Sequence, residues 1–214
     1  RKPAPKPVLE IAHLFHPSRI VTMGGIPHLR FREQKGGRQA MVTSAVREFA
    51  SRFKIDRSDP HSVVPLVRAV QKLKPHAVPI DQIGELYAKR TAEDVIHSGK
   101  VVILSKEDRW KSKGVIGCVD NALALIAALR AHRIKADFAR LGNSSIVIFK
   151  MGGKDWSVNP ARYSRRSVPN EVTATDLAGH RTLGRLGMFA RGKDAWDIGM
   201  RSLTDFDRYS KARR

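Results

Sequence analysis

The sequence predicts an α+β fold: a helical region, then a cysteine-headed helix followed by strands, with basic extended termini. Three observations carry this. Behind the only cysteine, Cys118, the residues Val119, Ala122, Leu125, Ile126 and Leu129 recur at three- and four-residue steps, the pattern of a buried helix face. After it, residues 136–141, 145–149 and 155–158 read as strands, the last two joined through Gly152-Gly153. Before it, four stretches between residues 41 and 99 carry helical spacing or helix caps.

In chain order, residues 1–40 form a basic arm. Its start, Arg1-Lys2-Pro3-Ala4-Pro5-Lys6-Pro7, favours an extended polyproline-like chain. Residues 8–15 suit a short helix or strand, and 16–39 read as irregular, with Gly24-Gly25, Pro27 and Gly36-Gly37. Arg30, Arg32, Lys35 and Arg38 fit either a plain linker or an arm that orders on a phosphate backbone, where Phe31 would stack on a base. Residues 41–53 read as a helix with Val42, Val46, Phe49 and Phe53 on one face. Asp59-Pro60 is an N-cap followed by a proline suited to a first turn, opening a helix with Val63, Val67, Val70 and Leu73 that Pro65 would bend or delay. Pro79 starts a helix through Ile83, Leu86 and Tyr87. Thr91 and Asp94 form a capping box, and Gly99 ends the short helix they open. Residues 101–104 read as a strand.

Residues 106–113 then carry Lys106, Arg109, Trp110, Lys111 and Lys113, where the tryptophan suits either base stacking or packing. Beyond the last strand, Arg162, Tyr163, Arg165 and Arg166 place guanidinium forks around a tyrosine, a set that suits phosphate or plain solvated surface. Residues 170–191 read as loop-rich, and Trp196 as core. The tail holds Arg208, Lys211, Arg213 and Arg214.

Gly117-Cys118-Val119-Asp120-Asn121-Ala122, running on to Leu129-Arg130-Ala131, resembles the cysteine helix of the transglutaminase-like superfamily, which shares a papain-like core. Residues 91–100 resemble the segment before that cysteine, and Val158-Asn159-Pro160 the strand end that carries the family's Asp-Pro. Asp194-Ala195-Trp196-Asp197-Ile198-Gly199-Met200 resembles the Ser-Trp-Asp-Ile-Gly pattern that some of these proteins carry near the end. The resemblance covers residues 85–205 and implies a cysteine helix packed on an antiparallel sheet. The chain is expected to hold a transglutaminase-like domain at 41–206, made of a helical part (41–100), a cysteine helix and sheet (101–160) and a C-terminal part (161–206), with a basic tail at 207–214.

The resemblance also implies a triad, with Cys118 as nucleophile, a histidine at the head of the second strand and an acid at the end of the third. The histidine position falls on Asn143-Ser144-Ser145, and the acid position is Asn159, a residue papain-like enzymes accept in the orienting role. Without an imidazole nothing takes the thiol proton or protonates a leaving group. His132 lies fourteen positions along the same helix, about 21 Å away at 1.5 Å per residue, too far to help. Cys118 and Asn159 are therefore read as relics of a triad whose histidine is missing near Ser144 and Ser145.

Charge supplies the function. Forty Lys and Arg against twenty Asp and Glu leave a formal +20 over 214 residues, the balance of a protein that works against a polyanion. The reading is a catalytically inactive transglutaminase-like protein binding nucleic acid, RNA before DNA, among the proteins of a ribosome or other large ribonucleoprotein. An active cysteine protease, amidase or transglutaminase is the alternative, with His180 as candidate base; a DNA- or peptide-binding module is the second. One cysteine rules out an internal disulfide framework and points to a reducing intracellular compartment. The eight histidines show no paired ligand spacing, so neither metal nor cofactor is expected. The longest apolar run, residues 122–129, is far short of the roughly 20 residues that span a bilayer.

Overall fold

The computed structural model describes residues 20–23, 26–29, 37–105, 117–141, 144–161, 174–176 and 189–200. The chain is mixed α and β, with both antiparallel and parallel strand pairing. A hairpin comes first, β1 (Ile20–Met23) against β2 (Ile26–Leu29), where the sequence suggested irregular chain.

The helical part follows the sequence closely. Helix α1 (Ser44–Ala50) opens where the Thr43 hydroxyl accepts from the Val46 N–H, so Val42 falls outside it. The Asp59 carboxylate accepts from the His61 N–H and starts a 3-10 turn, Pro60–Val63. Pro65 then sits in the first turn of α2 (Val64–Gln71), where a missing N–H does no harm. Pro79 heads α3 (Ile80–Lys89), and α4 (Ala92–Ser98) carries the Thr91–Asp94 capping box. Gly99 ends α4 in the left-handed region at φ 61°. The strand expected at 101–104 is β4 (Lys100–Leu104); it pairs in parallel with β3 (Lys74–Val78), a strand the sequence reading missed. Pro75 sits within β3, and a two-stranded sheet leaves that strand an open edge that tolerates proline.

Helix α5 (Gly117–Ala131) is the centre of the molecule. Spacing suggested one buried face; instead every residue from Gly117 to Leu129 is buried. The cause is cover on every side: α1, α2, α4 and β4 contact it, as do β5 (Ala136–Leu141) and β6 (Ser144–Met151). A helix with apolar residues on every side belongs in such a place, and here it also carries buried Asp120 and Asn121. Strands β5, β6 and β7 (Lys154–Val158) are antiparallel, and β6 turns into β7 through Gly152 and Gly153 at φ 57° and 77°. Two consecutive positive φ values suit the tight hairpin that pairs Met151 with Lys154.

Two short strands, β8 (Thr175–Asp176) and β9 (Phe189–Gly192), flank this sheet in the order β8-β7-β6-β5-β9, where the sequence suggested loop. Strand alternation sends Phe138, Val147, Phe149 and Val158 into one core with Leu66, Ile83, Val95 and Leu125, so helical part and sheet share an interior. The other parity, Ala139, Ile146 and Ile148, makes a second small buried cluster. Trp196, expected in the core, is only partly buried; Ala195 and Met200 are the anchors of that segment.

Glu93 is buried in the first turn of α4. Burial pushes its carboxyl above the ordinary value, with Asp94 adding to the rise and the Thr43 hydrogen bond and His97 opposing it. A carboxyl whose folded pKa exceeds its unfolded one loses stability on ionising. Glu93→Gln is therefore expected to stabilise the fold at neutral pH, with the gain fading as the pH falls below both values. Thermal unfolding of both chains between pH 7 and pH 4 checks it; a variant less stable than the parent at pH 7 would contradict it.

Candidate functional site

Cys118 is the second residue of α5, so its thiol lies in the first helical turn, where free N–H groups give partial positive charge. Ser145 is the second residue of β6 and stands opposite Arg140 of β5 in the strand register. Both side chains fall on the sheet face that covers α5, the parity of Phe138 and Val147. The three groups meet there. The thiol of Cys118 donates to Ser145 Oγ at 3.4 Å, Arg140 Nη1 donates to Ser145 Oγ at 3.0 Å, and the same Nη1 lies 4.0 Å from Cys118 Sγ. Exposure is 5% at Cys118, 1% at Arg140 and 0% at Ser145.

The position where the family resemblance calls for histidine thus carries a serine hydroxyl against the sulfur, backed by a guanidinium. Neither group takes a proton at neutral pH. Asn159 lies just past β7 and is partly buried, but its Oδ1 accepts from the Ala161 N–H at 3.0 Å, a local turn. Next to it, Asn121 of α5 donates through Nδ2 to the Pro160 carbonyl at 3.0 Å and fixes the strand end to the helix. His132 sits at the far end of α5, with Nε2 3.0 Å from the Ala50 carbonyl oxygen, in keeping with the distance argument. Ser144 is exposed at the head of β6, and His180 lies outside the described residues.

A buried ion pair is built on the same helix at Asp120. Arg90 Nε is 3.0 Å from Asp120 Oδ2, both side chains wholly buried, though the N–H is not aligned as a hydrogen bond. Asp120 Oδ2 also accepts from the Val102 N–H at 2.8 Å, and Arg90 Nη2 donates to the Lys100 carbonyl at 2.7 Å. Burial pushes the Asp120 carboxyl above the ordinary carboxylate range even with Arg90 beside it.

Of the sequence-predicted nucleic-acid contacts, Arg38 alone is among the described residues, partly buried in the turn before Gln39. Arg30, Arg32, Lys35, Lys106, Arg109, Trp110, Lys111, Lys113, Arg162, Tyr163, Arg165, Arg166, Arg208, Lys211, Arg213 and Arg214 lie outside them. The structure adds a group that the sequence reading passed over. Arg57 Nη2 donates to the His132 carbonyl at 2.7 Å, and the Lys150 N–H donates to the Lys135 carbonyl at 2.9 Å. Arg57, Arg133, Lys135 and Lys150, all exposed, therefore gather round the turn that follows α5. No local sequence signal joins residues 57 and 150 to that turn; only the fold does.

Among the described residues no group of three or more His, Cys, Asp or Glu could hold a metal ion, and no helix is long and apolar enough to cross a membrane. No protein-family model matches the chain, and comparison with curated proteins and with solved structures returns no match.

Proposed function

We propose that this chain is a catalytically degenerate transglutaminase-like protein that binds nucleic acid, RNA before DNA, as a component of a larger ribonucleoprotein. The order cysteine helix, then three antiparallel strands with a Gly-Gly hairpin between the last two, supports the resemblance. The observation that carries the loss of chemistry is Ser145 Oγ, 3.4 Å from Cys118 Sγ, where acyl transfer would need an imidazole. What supports nucleic-acid binding is the formal +20, together with the exposed cations that converge on the turn after α5.

Phosphate contacts release counterions, so the logarithm of the binding constant should fall linearly with the logarithm of salt concentration, by roughly 0.7 per phosphate on a single strand. The test is binding of single-stranded RNA, structured RNA and duplex DNA across a salt series, with the parent chain and with Arg57→Gln/Lys135→Gln/Lys150→Gln. The parent should favour RNA with a steep slope, and on single-stranded RNA the triple variant should lower that slope by roughly 0.7 for each contact removed. A salt-independent constant would end the proposal, and equal or tighter binding of duplex DNA would move it to DNA.

A further inference from the structure

We propose that Pro75 and Pro79 close the exposed edge of β3 to strand addition, so that copies of this chain do not pair through it. The proposal is independent of nucleic-acid binding. In a two-stranded sheet each strand has a second edge, whose N–H and C=O groups the ladder does not use. Such an edge is a template for another chain unless something blunts it.

The register of β3 against β4 says which groups face outward. The Lys74 N–H donates to the Gly99 carbonyl at 2.9 Å, and the Ser105 N–H donates to the Val78 carbonyl at 2.9 Å. Along a parallel strand, alternate residues turn both backbone groups to the same side. Lys74, His76 and Val78 therefore face β4, while residues 75, 77 and 79 face away from it. Pro75, Ala77 and Pro79 are all exposed. Proline has no N–H, so the outward edge offers one donor, that of Ala77. The Pro79 carbonyl is already taken by the Gln82 N–H at 3.2 Å, where α3 begins. A partner strand would find only the Ala77 N–H and the carbonyls of Pro75 and Ala77. Lys74, also exposed, adds a charge that an incoming strand would have to accommodate.

Strand β4 presents the opposite case. The same register turns Lys100 and Val102 away from β3. The Val102 N–H donates to Asp120 Oδ2 at 2.8 Å, and the Lys100 carbonyl accepts from Arg90 Nη2 at 2.7 Å. A carboxylate and a guanidinium, both side chains wholly buried, thus stand where a third strand would place its carbonyl and N–H. A buried edge must have its groups paired, whereas an exposed edge need only be a poor template. The inner edge is accordingly filled with partners, and the outer one is stripped of donors. Proline at 74, 76 or 78 would have broken the ladder to β4; at 75 and 79 it breaks none of it.

The test restores the missing donors. Pro75→Thr adds an outward N–H on a residue that favours strands. Pro79→Ser adds the other, and brings a hydroxyl to the N-cap of α3, where no side-chain cap is formed. Parent and Pro75→Thr/Pro79→Ser are compared by sedimentation velocity over a range of protein concentration. High salt keeps the formal +20 from masking association. The parent should stay monomeric, and the double variant should associate as concentration rises. In the associated form, amide exchange at Ala77 should slow by about tenfold or more, because that N–H then lies inside a ladder. Ala77→Thr is the control: it improves the strand without adding a donor, and it should stay monomeric. A double variant that remains monomeric, or associates with the Ala77 amide unprotected, overturns the proposal. So does a parent whose Ala77 amide becomes protected as concentration rises. Association of Ala77→Thr equal to that of the double variant also overturns it, since side-chain character would then decide and not the donors. Should the double variant fail to fold, Pro75→Thr alone is read in the same way.

Discussion

Arg90→Met is expected to destabilise the fold by about 3–5 kcal/mol, because it leaves the carboxylate of Asp120 buried without its cation. Methionine keeps the bulk of the side chain, so the loss reports charge and hydrogen bonding more than volume. Two backbone consequences add to it. The Lys100 carbonyl loses its donor, and Asp120, once protonated to escape the penalty, holds the Val102 N–H less strongly. The pH dependence has a definite sign. Burial already raises the Asp120 carboxyl above its unfolded value, and removing Arg90 raises it further. Ionisation of such a group opposes folding, so the deficit of the variant should be largest near neutral pH and shrink as the pH falls. Urea unfolding of parent, Arg90→Met and Arg90→Met/Asp120→Leu at pH 7 and pH 5 reads all of this. The double variant should recover part of the loss, though not the two backbone hydrogen bonds. A single variant within about 1 kcal/mol of the parent would show that the pair adds little beyond filling space.

That pair also shows why part of the molecule was hidden in the sequence. Periodicity exposed α5, capping chemistry exposed α4, and Gly152-Gly153 exposed the hairpin, because each signal lies within a few residues of the element it specifies. Arg90 and Asp120 are thirty positions apart, and nothing near either one announces the other. Arg140 is similar. Its strand reads Ala136-Asp137-Phe138-Ala139-Arg140-Leu141, and alternation puts Arg140 on the face of Ala136 and Phe138, toward the core. A cation at an inward position was a legible anomaly, but its destination beside Cys118 required the pairing with Ser145 on β6. Cys118 at the head of a helix was legible in the sequence, whereas Ser145 was singled out only through the resemblance. The guanidinium beside them was not. Strands β3, β8 and β9 escaped for a further reason: their pairing partners lie far away in the chain, and their own composition is ordinary for loops.

Arg130→Met should be the second large loss, on the order of 3 kcal/mol, and it should be uneven across the molecule. Arg130 ends α5, and its guanidinium donates to three carbonyls from three parts of the chain. Nε and Nη2 reach Ala136 at 3.0 and 2.8 Å, Nη1 reaches Ala40 at 3.0 Å, and Nη2 reaches Lys193 at 2.8 Å. Nothing of the same length as arginine offers that fork, so lysine could replace one bond and not all. Around it, the two outlying segments hold each other: the Gln39 N–H donates to Asp194 Oδ2 at 2.9 Å, and the Trp196 N–H donates to Gln39 Oε1 at 2.9 Å. The Asp-Ala-Trp-Asp-Ile-Gly stretch is thus a clasp across the N-terminal side of the fold, and Arg130 is what fastens the clasp to α5. With methionine there, amide hydrogen exchange at Gln39 and Trp196 should quicken well before that of α5 or β6. Arg130→Lys should fall between parent and Arg130→Met. Exchange that quickens uniformly, or not at all, would mean that apolar packing of Ala195 and Met200 holds the clasp without the guanidinium.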